Sequence, residues 1–290
     1  MSAKYMPESR FLTINGLRLH HLDWGNPGAP PLVFVHGLRG SAHAFDGPAR
    51  RLRERFHIIA TDVRGRGDSE WSPIGAYDRT DYVSDLEGIV DALGLAHFTL
   101  VGTSMGGRIG MNYAAHHADR LEALVLNDIG VEGESGSERI TQEAANAPAS
   151  FPTLEAVMAY RRKTNPGMAS LSEEEMRERT LFLFKELPDG QFAPKMDPAI
   201  LRKRATEGVP PPQPELWPVL ASFRRPTLVI WGTASDVLSE AQARRMIETL
   251  PMGELAPVPG VGHAPTLSEP SAAEALDRFL DKVLHAKVAV

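Results

Sequence analysis

The chain reads as an α/β protein, with a mostly parallel central sheet and helices on both faces. Three observations predict this. Short apolar, β-branched runs alternate with helical patterns from the first residues onward, which is the rhythm of βαβ units. One of those runs, His97–Val101, passes through Gly102-Thr103-Ser104-Met105-Gly106 straight into a helical segment, Arg108–His117. The alternation then breaks after Gly130 and resumes near Phe223, so a helical insert, 131–223, interrupts a core formed by 1–130 and 224–290.

The elements follow in order. Arg10–Asn15 and Leu17–Trp24 flank Asn15-Gly16, a pair that favours a two-residue hairpin turn. Buried strands are expected at Leu32–His36, His57–Asp62, His97–Val101 and Leu121–Asp128. The clearest helix, Asp81–Leu93, puts Val83, Leu86, Ile89, Val90 and Leu93 on one face, and Gly94 suits its C-terminal cap. In the insert, helices are expected at Thr153–Lys163, Ser172–Leu187 and Asp197–Arg204, with no sheet strand among them. Ser172 and Glu175 have capping-box spacing, and Glu173 and Arg177 form an i,i+4 pair. Leu181–Phe184 reads first as packing among insert helices and second as a substrate wall. Gly208–Pro214 reads as a stiff return linker rather than a proline-rich ligand. The core then resumes with a strand at Pro226–Gly232, a helix at Glu240–Leu250 and a strand at Glu254–Pro259.

The segment Gly102–Gly106 carries the chemistry. A G-x-S-x-G between a buried strand and a helix holds its serine on a strained turn and lifts the hydroxyl out at the carboxyl end of the sheet. Gly102 and Gly106 are required because a Cβ at either place would strike neighbouring backbone. A serine hydroxyl needs a histidine to take its proton, and the histidine needs a carboxylate to fix its tautomer. His263 sits in a glycine-framed loop, Gly260–Pro265, and Asp236 ends the loop after the preceding strand. Both lie at the sheet edge that carries Ser104, so Ser104, Asp236 and His263 form the expected triad. Upstream, the strand Pro31–Val35 runs into His36-Gly37-Leu38-Arg39-Gly40. Acyl transfer needs two preorganised N–H donors, and the Leu38 and Met105 amides are the candidates. His36 reads as a loop-shaping histidine before it reads as a base. Gly37 shares that loop, and Arg39 reads as a solvated arginine before it reads as a carboxylate contact. Phe182 and Phe184 are the substrate-pocket candidates from the insert.

These motifs resemble the α/β-hydrolase superfamily over nearly the whole chain. The resemblance rests on HGLRGS (36–41), Asp62–Ser69, GTSMGG (102–107), LVLNDIG (124–130), WGTASDV (231–237) and PGVGHAP (259–265). It implies an α/β-hydrolase fold with an inserted helical cap, a serine-dependent mechanism and no required cofactor. Asp62–Ser69 matches a pattern that is usually structural in the family, with Arg64 and Asp68 fixing a tight turn. Some members place the acid after the strand corresponding to Leu121–Asp128, so Asp128 is the rival to Asp236. Asp236 is preferred for its spacing from its strand, and Asp128 is assigned backbone bonding at the exit to the cap. A serine at the elbow disfavours the dehalogenase and epoxide hydrolase branches, which carry aspartate there.

The expected activity is carboxylic ester hydrolysis, on a small or polymeric ester. The alternatives are a C–C bond hydrolase of the meta-cleavage type, an enol-lactonase, and a ligand receptor on the same fold. The first is weakened because Ala264 follows His263 where those relatives usually have tryptophan. Composition bounds the rest. An apolar content of 42% and a charged content of 23% are those of an ordinary globular chain. A net charge of −6 argues against nucleic acid. No run is long and apolar enough for a membrane span, and Met1–Arg10 lacks a signal-peptide core, so a cytoplasmic enzyme is expected. With no cysteine there is no thiol nucleophile or thiolate site, and the histidines show no metal spacing. The sequence sets no oligomeric state.

Overall fold

Asn15 and Gly16, at φ 51° and 76°, turn the chain between β1 (Glu8–Ile14) and β2 (Leu17–Asp23), as the pair predicts. The computed structural model describes residues 6–165, 168, 171–206 and 215–288, so the expected linker at 208–214 lies outside the described residues. After the hairpin come β3 (Pro31–Val35), β4 (His57–Thr61), β5 (Phe98–Thr103) and β6 (Leu121–Asn127). The insert follows, with a small hairpin of β7 (Phe184–Glu186) and β8 (Phe192–Pro194), and then β9 (Thr227–Gly232) and β10 (Gly253–Val258). One sheet of eight strands runs β1-β2-β4-β3-β5-β6-β9-β10. Its pairings are antiparallel at β1/β2 and β2/β4 and parallel from β4 onward.

Alternation along the central strands explains the layers. On β3, Val33 and Val35 face one side while Leu32 and Phe34 face the other. The first side packs against α2 (Arg79–Ala92) and α3 (Met105–His117), through Leu86, Val90, Ile109 and Met111. The second packs against α1 (Asp46–Leu52) near the start of the chain and the C-terminal helix Pro270–Val288, through Leu52, Leu276, Phe279 and Leu280. Each such side chain, fully buried, contributes about 1.5–3 kcal/mol. Asp78 and Asp81 cap the start of α2 reciprocally, and Gly94 at φ 67° ends it as expected.

Between β6 and β9 lie α4 (Ser135–Ala145), α5 (Leu154–Thr164), α6 (Glu173–Leu181), α7 (Ala199–Thr206) and α8 (Leu216–Ser222). Two expectations need correction here. Strand residues are present: Phe184 pairs with Pro194 and Glu186 with Phe192 across the β7–β8 hairpin, and Phe192 also bridges Phe151. The helix expected at Ser172–Leu187 is therefore shorter, although its capping box of Ser172 and Glu175 is formed. The second correction concerns α8, whose Leu216 and Leu220 join the main core beside α3. Past α8, α9 (Glu240–Thr249) and α10 (Pro270–Val288) complete the chain. Among the described residues no helix is long and apolar enough to cross a membrane.

The turn at Asp62–Ser69 is held differently from expectation. Asp62, 1% exposed, accepts from the Ala42 amide at 2.6 Å, the Asp68 amide at 2.8 Å and His20 Nδ1 at 2.7 Å. Asp68 contributes its backbone, while its carboxylate pairs with Lys195 at 2.7 Å. Arg64 binds Asp85 with Nε and Nη2, both at 2.5 Å. Arg66 donates from Nε to the Leu38 carbonyl at 2.8 Å, which ties this turn to the loop after β3.

Candidate active site

Ser104 stands between the end of β5 and the start of α3 at φ 53°, ψ −116°. A non-glycine residue in such a conformation stores about 1–3 kcal/mol of strain, held only by over-determined surroundings. The determinants are the neighbouring glycines. An added Cβ on Gly106 would lie 2.0 Å from the Val35 carbonyl oxygen, and one on Gly102 would lie 2.4 Å from the Gly107 nitrogen. The Ser104 amide donates to the Asn127 carbonyl at 2.9 Å, anchoring the elbow to β6.

The serine hydroxyl lies 2.9 Å from His263 Nε2, and His263 Nδ1 lies 2.7 Å from Asp128 Oδ2. A carboxylate at Nδ1 fixes the proton on that nitrogen. Nε2 is then the lone-pair side, and the Ser104 hydroxyl donates to it. Asp128 is fully buried and follows β6 directly, at φ 55°. Its amide donates to the Ile230 carbonyl at 2.8 Å, and its left-handed backbone carries the carboxylate across the end of β9. There Oδ1 accepts from the Gly232 amide at 2.9 Å, and Oδ2 accepts from the Ser235 hydroxyl at 2.6 Å as well as from His263. Three donors converge on one buried carboxylate. This arrangement fixes its position.

The expectation that Asp236 would meet His263 is corrected. Its carboxylate is clamped by Arg139 on α4, with Nε at 2.7 Å and Nη2 at 3.0 Å, and its side chain is 41% exposed. The hydrogen bond from Arg139 holds the Asp236 pKa below the usual carboxylate range. Ser235, one residue earlier, turns toward Asp128 instead. The backbone bonding expected of Asp128 is only part of its role. It makes that bond, to Gly232, and the histidine bond besides. The available signal is an aspartate directly after a strand that is almost wholly buried, where a carboxylate has no solvent to answer to.

The remaining candidates separate clearly. Met105 is the first residue of α3, so its N–H has no preceding helical carbonyl, and Leu38 N–H takes no part in the loop's backbone bonds among the described residues. Both amides are thus available as donors. Gly37 approaches Ser104 closely, since an added Cβ would lie 3.3 Å from that of the serine. His36 is buried and uses both ring nitrogens, donating from Nδ1 to the Gly37 carbonyl at 2.7 Å and accepting at Nε2 from the Val63 amide at 3.0 Å. Burial pushes its pKa down to about 4, against the attraction of Asp62. It shapes the loop. Arg39 is exposed beside it. Phe182 leaves α6 and stacks on His43, ring centroids 3.5 Å apart, at the far end of the same loop. Phe184 instead points into a small cluster with Phe151 and Val157, away from solvent. Outside the site, His20, Asp62 and Asp68 come close enough to suggest a metal cluster, but Asp62 already accepts three hydrogen bonds.

Residues 30–270 match the alpha/beta hydrolase fold family. The chain is 32% identical to a 3-hydroxybutyrate-oligomer hydrolase of Cupriavidus necator, covering 88% of this chain and 89% of that one. It is 27% identical to a 2-(acetamidomethylene)succinate hydrolase of Mesorhizobium japonicum, covering 94% and 95%. The crystal structure of an alpha/beta hydrolase from Novosphingobium aromaticivorans superposes with a TM-score of 0.83 at 31% identity, covering 95% and 98% of the two chains.

Proposed function

Since the chain belongs to the alpha/beta hydrolase family, we propose that it is a carboxylic ester hydrolase that works through an acyl-enzyme on Ser104. The observation that carries this reading is the unbroken line from Ser104 Oγ through His263 to Asp128, at 2.9 Å and 2.7 Å. On this reading His263 takes the hydroxyl proton as Ser104 attacks the ester carbonyl. Asp128 holds the ring in its tautomer and stabilises the imidazolium. The charge that develops on the carbonyl oxygen is met by the Leu38 and Met105 amides, whose directions are set before the reaction by the elbow turn and by His36 Nδ1 on the Gly37 carbonyl, the carbonyl of the Leu38 peptide. His263 then returns the proton to the leaving alcohol, and water repeats the sequence to release the acid.

The substrate class proposed is an ester of a hydroxy acid, supported by the likeness to a 3-hydroxybutyrate-oligomer hydrolase. Residues 131–206, which precede α8, are proposed as the cap that selects it, because Phe182 brings this segment onto the loop that carries Leu38. The test is a fluorophosphonate probe beside hydrolysis of p-nitrophenyl esters. Wild type should be labelled and active, and Ser104→Ala should be neither. Equal labelling of the two proteins, or no ester turnover by wild type, overturns the reading.

A further inference from the structure

Arg161 is a buried charge that the mechanism does not use and that no acidic group among the described residues balances. It lies on α5 and is only 6% exposed. Its guanidinium donates from Nη1 to Thr180 Oγ1 at 2.9 Å, and Thr180 in turn donates to the Met176 carbonyl at 2.7 Å. That acceptor is neutral, so it satisfies an N–H without balancing the charge. Among the described residues the charges that act on Arg161 are those of Arg179 and Arg39, and both are positive. Burial first, and these two arginines second, push its pKa down to about 10, which leaves it cationic at neutral pH. A buried cation among cations is strongly unfavourable unless an anion completes the group.

A series of contacts leads from Arg161 toward the loop beside the nucleophile. Arg39 follows Leu38 and Gly37, and Gly37 approaches Ser104 closely enough that an added Cβ would lie 3.3 Å from the serine Cβ. Thr180, which holds Arg161, is two residues before Phe182, whose ring rests on His43. Arg39, on the loop after β3, is near enough for its charge to act on Arg161 on α5. The chain as a whole carries a formal charge of −6, so a local cluster of guanidiniums is what would bring an anionic substrate in against the average field.

We infer that Arg161, with Arg39 beside it, is a specificity site that binds a free carboxylate on the substrate while Ser104 attacks an ester elsewhere in the same molecule. The inference rests on the ester hydrolase reading for its reaction, but the anion site is testable without turnover. A guanidinium presents paired N–H donors that match a carboxylate, and truncating it leaves the anion unpaired.

The experiment compares mono-p-nitrophenyl succinate, which bears a carboxylate, with neutral p-nitrophenyl pentanoate of similar length. Wild type should favour the anionic ester in kcat/KM. Arg161→Gln should lower that ratio by about tenfold or more, mainly through KM for the anionic ester, as loss of a charge-assisted hydrogen bond predicts. Arg161→Lys should keep most of the preference, and Arg39→Gln, at an exposed position, should lower it by a smaller factor. No preference in wild type, or a ratio unchanged in both Arg161→Gln and Arg39→Gln, overturns the inference. A second measurement is independent of catalysis and of any folding defect at position 161. Ser104→Ala protein should be stabilised thermally by monomethyl succinate and not by dimethyl succinate, and the added change Arg39→Gln should weaken the shift. Equal or absent shifts for the two succinates overturn the anion site even if ester turnover is found. A shift with the monoester alone supports the site even if the esterase reading fails.

Discussion

Arg139 holds Asp236 through two hydrogen bonds, Nε to Oδ2 at 2.7 Å and Nη2 to Oδ1 at 3.0 Å, and so turns that carboxylate toward α4 and away from His263. The Asp236 backbone reinforces the same junction, because its carbonyl accepts from the Gly136 amide at 2.9 Å. The loop after β9 thus does two jobs with adjacent residues. Ser235 supports the buried Asp128, and Asp236 fastens the start of the insert.

The two aspartates should respond oppositely to the same change. Asp128→Asn leaves the site's shape but presents the wrong group to His263 Nδ1, and kcat on a p-nitrophenyl ester should fall by about 10⁴. Asp236→Asn breaks an exposed ion pair worth at most about 1 kcal/mol, so activity should fall by no more than a few-fold. Steady-state kinetics with thermal melts of both variants decide the matter. A larger loss at Asp236, with both proteins folded, would return the acid's role to it.

The elbow glycines should be intolerant for steric reasons alone. The Cβ of Gly106→Ala would lie 2.0 Å from the Val35 carbonyl oxygen, which belongs to the backbone of a central strand and cannot yield. The expected loss is several kcal/mol of stability, in the range of severe overpacking. A melting temperature within a few degrees of wild type would show that the elbow is softer than its geometry implies.

Much of this was legible from residue pattern, and the reasons divide cleanly. Strand runs such as Leu32–Val35 and the Asn15-Gly16 turn are local signals, read from alternation and from backbone freedom, and they appear as expected. Ser104 and His263 are also local signals, each framed by glycines that have no other use there. The choice between Asp128 and Asp236 was not local. It depended on a left-handed backbone at Asp128 and on Arg139 taking up the rival carboxylate, and neither follows from spacing. The β7–β8 hairpin is not local either, since Phe184 becomes a strand residue by pairing with Pro194, and Phe192 by pairing with Glu186 and bridging Phe151, not by propensity. Arg161 had no sequence signal at all, because its meaning lies in the missing counter-charge.

Acid should weaken the fold through His36. The folded protein holds this ring neutral, with its pKa lowered from 6.5 to about 4 by burial. Protonating Nε2 would also cost the bond it accepts from the Val63 amide. The sign follows from which state takes the proton. Above pH 6.5 neither state is charged and the full stability is present. Between 6.5 and about 4 the unfolded chain binds a proton that the folded protein refuses, so stability falls with pH, by at most about 3 kcal/mol from this residue. His21, lowered to about 4 chiefly by burial, acts in the same direction. Melting temperatures from pH 7.5 down to 4.5 should fall, and His36→Gln, with no proton to gain, should show a shallower slope. Parallel curves for the two proteins would remove His36 from the account.

Phe182 and Phe184 should differ in kind, although the sequence sets them two residues apart. Phe184 packs with Phe151 and Val157 in a cluster that also holds the β7–β8 hairpin in place. Replacing a buried phenylalanine by alanine removes its transfer energy and leaves a cavity, so Phe184→Ala should destabilise by about 3–5 kcal/mol where the cluster cannot collapse. Phe182 is only partly buried, and its ring lies flat on His43 with an interplanar angle of 6°. Its loss should leave the melt nearly unchanged while opening the contact between the insert and the loop that carries Leu38 and Arg39. The expected readout is a change in relative kcat/KM across p-nitrophenyl acetate, butyrate and octanoate in Phe182→Ala, largest for the long acyl chain, which reaches furthest from Ser104. Phe184→Ala, assayed below its melting temperature, should keep the wild-type order of the three. If Phe182→Ala lowers all three esters by one common factor, the stacked pair supports the loop and does not select the substrate.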